Sequence, residues 1–167
     1  MAGGGARTLA SRTYTGSASS APALGASLIP VEALPAPARV RTFVLGQSMR
    51  MAAGMGMAAS AMSFTINGLA FDPARVDTAV RLGDIEDWEF INSSPIDHPM
   101  HVHTNPFQVV SPDGNAERAW RDIVVVPGHD RIRVRTRFLN YPGKSFYHCH
   151  ILDHEDLGMM AVVGISS

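Results

Sequence analysis

The sequence predicts an all-β sandwich or barrel, and three observations carry that expectation. Short runs alternating apolar and polar residues recur along the 167-residue chain, turn-forming Gly, Pro, Asn and Asp separate them, and no stretch shows a convincing amphipathic helical period. Residues 39–45 alternate as a half-buried strand should. Residues 47–62 interrupt with Met49, Met51, Met55, Met57 and Met62 among Gly, Ala and Ser. Strand character returns at 63–66, where Asn67-Gly68 offers a tight hairpin turn into 69–71. Further strands are expected at 78–82, 85–91, 107–110, 123–126, 131–138, 144–151 and 160–165, each ending at a turn signal or the next element. Residues 1–38 are rich in Ala, Gly, Ser and Pro, with Pro30, Pro35 and Pro37 breaking any regular element. They are expected to form a flexible extension or linker ahead of one domain, 39–167.

Composition bounds the function. Apolar residues make up 46% and charged residues 17%, enough to bury a core and too little charge for a disordered chain. Fourteen basic residues against fifteen acidic ones leave a formal charge of −1, so no bulk attraction to nucleic acid or an anionic membrane is expected. One cysteine excludes an internal disulfide framework and any zinc site built from several thiolates. No apolar run approaches the roughly 18–20 residues that span a bilayer, and the opening residues show no signal-peptide pattern.

All seven histidines lie beyond residue 97, and six fall in two tight groups. The first holds His98, His101 and His103; the second holds His148, His150 and His154, with Cys149 inside it. A lone histidine in a β protein is usually a surface or hydrogen-bonded core residue, but six around the single cysteine point to metal. Side chains alternate faces along a strand, so His148 and His150 point one way and Cys149 the other. By the same parity His101 and His103 share a face that His98 does not. One set is therefore Cys149, His98 and His154 with Met159 available, and the other is His101, His103, His148 and His150.

A thiolate, two imidazoles and a weak thioether suit copper in electron transfer, whereas zinc gains nothing from Met159. A cysteine protease would need a histidine turned toward the sulfur as its base, and His148 and His150 face away. The imidazole cluster suits copper ions that bind oxygen, but four ligands cannot saturate several coppers.

These residues resemble the C-terminal domain of multicopper oxidases, the laccases and bacterial copper oxidases. His98, His101 and His103 match the H-P-x-H-x-H motif, and His148 to Met159 matches H-C-H-x-x-x-H-x-x-x-x-M. Phe64-Thr-Ile-Asn-Gly68 and Trp120-Arg-Asp122 also look familial, and the stretch before residue 39 resembles, more weakly, the tail of a preceding domain. The resemblance implies a Greek-key cupredoxin sandwich or barrel, plastocyanin-like, with a mostly irregular N-terminal extension. It implies that Cys149, His98 and His154 bind type 1 copper with Met159 as weak axial ligand, that His101 serves type 2 copper, and that His103, His148 and His150 serve the type 3 pair. Electrons from a small reducing substrate, phenol-like or cuprous ion, would pass through Cys149 and its flanking histidines to a cluster that reduces O2 to water. Glu155 matches a carboxylate implicated in proton delivery, although a solvated loop acid is an equally good reading. Family members are typically exported, which implies an extracytoplasmic location. Related nitrite reductases lack the histidine ligand after the cysteine, so His150 argues against them.

The family draws its other four cluster histidines from two H-x-H motifs in an N-terminal domain, and this sequence has no histidine before His98. Identical copies cannot supply them. Domains in a longer chain or a separate subunit are expected to do so; a stand-alone type 1 electron carrier and a truncated, non-catalytic remnant are the alternatives. The Met-rich residues 49–62 read first as an adaptable apolar loop and second as soft ligands for cuprous ion. His129 reads as a turn residue, Trp88 and Trp120 as core aromatics. Arg131, Arg133, Arg135 and Arg137 read as one solvated or interfacial face.

Overall fold

The computed structural model describes residues 13, 15–16, 30–51 and 60–167. The strands are β1 (Arg39–Met51), β2 (Ser60–Ile66), β3 (Thr78–Arg81), β4 (Ile85–Asn92), β5 (His98–Val102), β6 (Phe107–Val110), β7 (Ile123–Val126), β8 (Arg131–Arg137), β9 (Gly143–Cys149) and β10 (Met160–Ser166). Among the described residues one short helix, α1 (Leu152–Asp156), lies between β9 and β10. They form two five-stranded sheets, ordered β2-β1-β4-β8-β6 and β3-β10-β9-β5-β7. β1 runs parallel to β4 and β3 parallel to β10; the other named pairings are antiparallel. The expected all-β sandwich is observed.

The core lies where the inward residues of both sheets meet. On β4 the alternation turns Trp88 and Phe90 inward, where they pack with Phe43 of β1 and, for Trp88, with Tyr147 of β9 at ring-centroid distances of 4.8–5.5 Å. The Trp88 indole donates to Glu86 Oε2 at 3.0 Å. Cys149 and Met159 belong to this same apolar cluster, so one end of the dry core becomes the floor of a site.

Several expectations needed correction. Asn67 and Gly68 both take positive φ (54° and 76°), as the turn requires, but the returning strand at 69–71 does not form. A single bridge, Ile66 to Leu69, closes the turn, and β2 pairs with β1 instead, from Leu45–Ile66 out to Met51–Ser60. Met49, Met51 and Met62 thus fall at the far end of that strand pair. Residues 52–59 lie outside the described residues, as do the side chains of Met49 and Met51, while Met62 is exposed. Strand β5 and helix α1 were not expected. β5 carries two histidines and a proline, weak β-formers, and five residues are too few for α1 to show a helical period.

The arginine row of β8 does not form one solvated face. Arg135 is buried and grips the equally buried Asp87 through two contacts, Nε to Oδ1 at 2.6 Å and Nη2 to Oδ2 at 3.0 Å. Its cover is part of the stretch read as a flexible extension. Leu34 is buried, its N–H donates to Gln108 Oε1 at 2.7 Å, and Arg135 Nη1 donates to the carbonyls of Leu34 and Pro35. Residues 32–35 are therefore tied to the sheet by satisfied buried polar groups. Trp120 is 47% exposed and is no core residue. His129 sits in a turn at φ 57°, as expected.

Candidate metal centre

β9 and β5 are neighbours in one sheet, with Met100 opposite Cys149 and His101 opposite His148. The pleat sends Cys149 inward and its neighbours to the other side. β5 alternates likewise: His98, Met100 and Val102 are buried, and His101 is partly exposed. Helix α1 follows β9 directly and carries His154 back over the sulfur. The Met159 N–H donates to the His154 carbonyl at 2.8 Å, and the Cys149 N–H to the Met159 carbonyl at 3.0 Å, which fixes Met159, fully buried, beside the cysteine. Gly158 makes that turn possible: it holds φ at 116°, and a Cβ there would press on Ala70 and the Phe64 carbonyl.

The inward set converges. Cys149 Sγ lies 3.6 Å from His98 Nδ1 and 3.5 Å from His154 Nδ1, and the two nitrogens are 3.1 Å apart. The point in their plane equidistant from these three atoms lies about 2.0 Å from each, a metal–imidazole bond length and about 0.3 Å short of a metal–thiolate one. The donor triangle is thus of a size to hold one small cation. Phe64 stacks on the His154 ring at 4.0 Å.

The outward set gathers His101, His103 and His148, with donor atoms within 4.8 Å of one another. His103 Nε2 and His148 Nε2 face each other at 2.9 Å, and the exposed His150 ring lies 5.6 Å from both His101 and His148. His101 Nδ1 meets the Asp122 carbonyl at 2.8 Å, and His148 Nδ1 meets the Cys149 carbonyl at 3.0 Å. A carbonyl can only accept, so in the neutral rings these nitrogens carry the proton and Nε2 is left to bind a cation. Glu155 Oε2 lies 3.2 Å from His148 Nδ1 and joins α1 to the outward set.

Burial sets the protonation of the inward donors. It pushes the Cys149 thiol up to about 11, against the pull of the Ile151 N–H, and pushes His98 down to about 4, helped by the neighbouring His154. His154 and His103 are lowered by the same desolvation. Near neutral pH the imidazoles are ready to bind, while the thiol must lose a proton to do so.

Two residues at this site escaped sequence reasoning. Ser94 Oγ lies 2.8 Å from His98 Nε2 and 2.8 Å from Asn92 Oδ1. In the sequence they were turn residues after a strand, and nothing in their spacing marked them.

The sequence pattern that describes the multicopper oxidases matches residues 43–167. The chain belongs to the multicopper oxidase family. It is 36% identical over 110 residues to the multicopper oxidase mco of Staphylococcus aureus, covering 61% of this chain and 24% of that protein. A laccase of Haloferax volcanii is 33% identical over 134 residues, 76% of this chain and 23% of that protein. Among solved structures, a multicopper oxidase from Campylobacter jejuni described as a metallo-oxidase superposes with a TM-score of 0.66 at 31% identity, covering 80% of this chain and 31% of that one. The chain thus spans about a quarter of the length of the curated relatives it matches. Family membership implies copper, and multicopper oxidases use O2 and reducing substrates. Among the described residues no helix is long and apolar enough to cross a membrane.

Proposed function

We propose that residues 39–167 are the C-terminal cupredoxin domain of a laccase-like multicopper oxidase, preceded by an extension over residues 1–38. In this reading the protein oxidises a small donor, phenol-like or cuprous ion, and reduces O2 to water. Cys149, His98 and His154 would hold type 1 copper with Met159 as weak axial ligand; His101 would hold type 2 copper, and His103, His148 and His150 the type 3 pair. The observation that carries this is the inward triangle of one sulfur and two nitrogens, sized for a single cation, back to back with an imidazole cluster on the same strand. When bound, copper supplies a one-electron acceptor in the first pocket and an oxygen-reducing centre at the second.

The chain's own residues supply the rest. The apolar walls around Cys149 and Met159 exclude water and favour a soft donor set. Cys149 lies between His148 and His150, so one short piece of backbone joins the two donor sets. The 3.2 Å approach of Glu155 to His148 supports a role in holding or moving a proton beside the outward cluster. Four further imidazoles, from two H-x-H motifs in a longer chain or a separate subunit, would complete that cluster. The family resemblance supports an extracytoplasmic location. The completeness of the inward set within this chain favours a second reading, a stand-alone type 1 electron carrier.

The test is to load the purified chain with copper and record its electron paramagnetic resonance spectrum with total copper per chain. The expected result is a type 1 signal at about one copper per chain, lost in Cys149→Ser, with no steady oxygen consumption. Absence of a type 1 signal would overturn the reading. Extra copper with a type 2 signal would give the outward set a metal even in the lone chain and argue against a pure carrier.

A further inference from the structure

We infer that Asn92 and Ser94 are positioning residues that lock His98 in the tautomer whose Nδ1 faces Cys149. The inference rests on the copper reading for the use made of Nδ1, but the tautomer itself follows from counting protons. Both residues are almost wholly buried, so each of their polar atoms must find its partner within the protein.

The amide of Asn92 has only one consistent orientation. Its Nδ2 lies 2.7 Å from the Ile96 carbonyl, 3.0 Å from that of Pro127 and 3.2 Å from that of Val126, all acceptors. Its Oδ1 accepts the Ser94 N–H at 2.9 Å. The Ser94 hydroxyl then meets Asn92 Oδ1 at 2.8 Å, the Ile96 carbonyl at 3.2 Å and His98 Nε2 at 2.8 Å. The first two can only accept, and a hydroxyl proton spent on His98 would leave the serine oxygen facing Asn92 Oδ1 at 2.8 Å with no proton between them, so the proton goes to one of these two oxygens. Toward His98 the serine oxygen is therefore an acceptor, and His98 Nε2 carries the ring proton. Its Nδ1 keeps a lone pair directed at the pocket, 3.6 Å from Cys149 Sγ.

The lock matters because the pocket contains a competitor. His98 Nδ1 and His154 Nδ1 are 3.1 Å apart, so a proton on His98 Nδ1 would form a hydrogen bond to His154 and occupy the space a cation needs. Removing the serine oxygen favours that alternative. The loop bearing Ser94 is itself braced: the Gly128 N–H donates to Asp97 Oδ1 at 3.0 Å, and Gly128 lies so close to the Pro95 carbonyl that a side chain would not fit.

The experiment uses the full, copper-free chain labelled with 15N-histidine. Two-bond 1H–15N correlation spectra near neutral pH report the tautomer of each ring, His98 being identified by loss of its signals in His98→Gln. The expected result is a Nε2–H tautomer for His98 in the native chain and in Ser94→Thr, and a mixture with Nδ1–H in Ser94→Ala. Cu(II) affinity, measured by competition with a chelator, should fall about 10–100-fold in Ser94→Ala and stay near native in Ser94→Thr. A native His98 protonated on Nδ1 would overturn the inference, as would a Ser94→Ala chain that kept both tautomer and affinity. Should Ser94→Ala fail to fold, the native and Ser94→Thr spectra still decide. If the tautomers behave as stated while no variant binds Cu(II), the copper reading fails and the lock stands.

Discussion

Removing Arg135 while leaving Asp87 in place tests how β8 is held to the rest of the sandwich. The two side chains are 7% and 3% exposed and meet through two contacts, so Arg135→Met strands a carboxylate where water cannot reach it. Breaking a buried pair from one side costs about 3–5 kcal/mol, whereas replacing both members with apolar groups is often neutral. The variant also loses the bonds to the Leu34, Pro35 and Gly114 carbonyls, which places it toward the upper part of that range. With a urea dependence of about 2 kcal/mol/M, the unfolding midpoint should fall by roughly 2–2.5 M. Asp87→Leu combined with Arg135→Met should recover most of the loss. Urea titration of the copper-free chain at pH 7, followed by tryptophan fluorescence, reads both. A single variant within about 1 kcal/mol of native, or a double variant no better than the single one, would refute the reasoning.

Three further outcomes follow from the centre. His98 is held down at about 4 against an ordinary 6.5, so its contribution to stability is present above pH 6.5 and lost as the pH falls toward 4; the copper-free chain should lose roughly 3 kcal/mol across that window. Denaturant midpoints measured at several pH values would show it, and His98→Gln should flatten the curve. Because the Cys149 thiol is pushed up to about 11, Cu(II) uptake at pH 7 should release about one proton per metal from it; a pH-stat titration tests this, and Cys149→Ser should release none. Gly128→Ala should cost about 1–3 kcal/mol by driving the 92–97 loop off its carbonyl contact, seen as a lower melting temperature together with weaker copper binding.

The sequence made the grouping of the histidines about the cysteine legible because strand parity is a local rule: knowing that 148–150 is extended is enough to part Cys149 from His148 and His150. Burial of Arg135 was not legible in the same way. Alternation tells which residues share a face, but what covers that face here is Leu34, about a hundred positions away. The exposure of Trp120 was not legible for a different reason: an aromatic residue in a loop carries no periodic signal of its own. Strand β5 was hidden by its composition, three of its five residues being His or Pro, and its extended form is imposed by pairing with β9 and β7. Asn92 and Ser94 were invisible because their role depends on the order in which protons are shared among groups that the turn brings together.

The alternation of Cys149 between His148 and His150 also restricts how such a protein can change by descent. A one-residue insertion or deletion within β9 upstream of His148 would disturb the register with β5 and β10 and turn the following side chains to opposite faces. The sulfur would move to the side of the imidazole cluster and the histidines into the apolar pocket, so both centres would be lost at once. Length variation should therefore accumulate in the 111–116 turn, where nothing in either donor set depends on parity, and be nearly absent from 143–150.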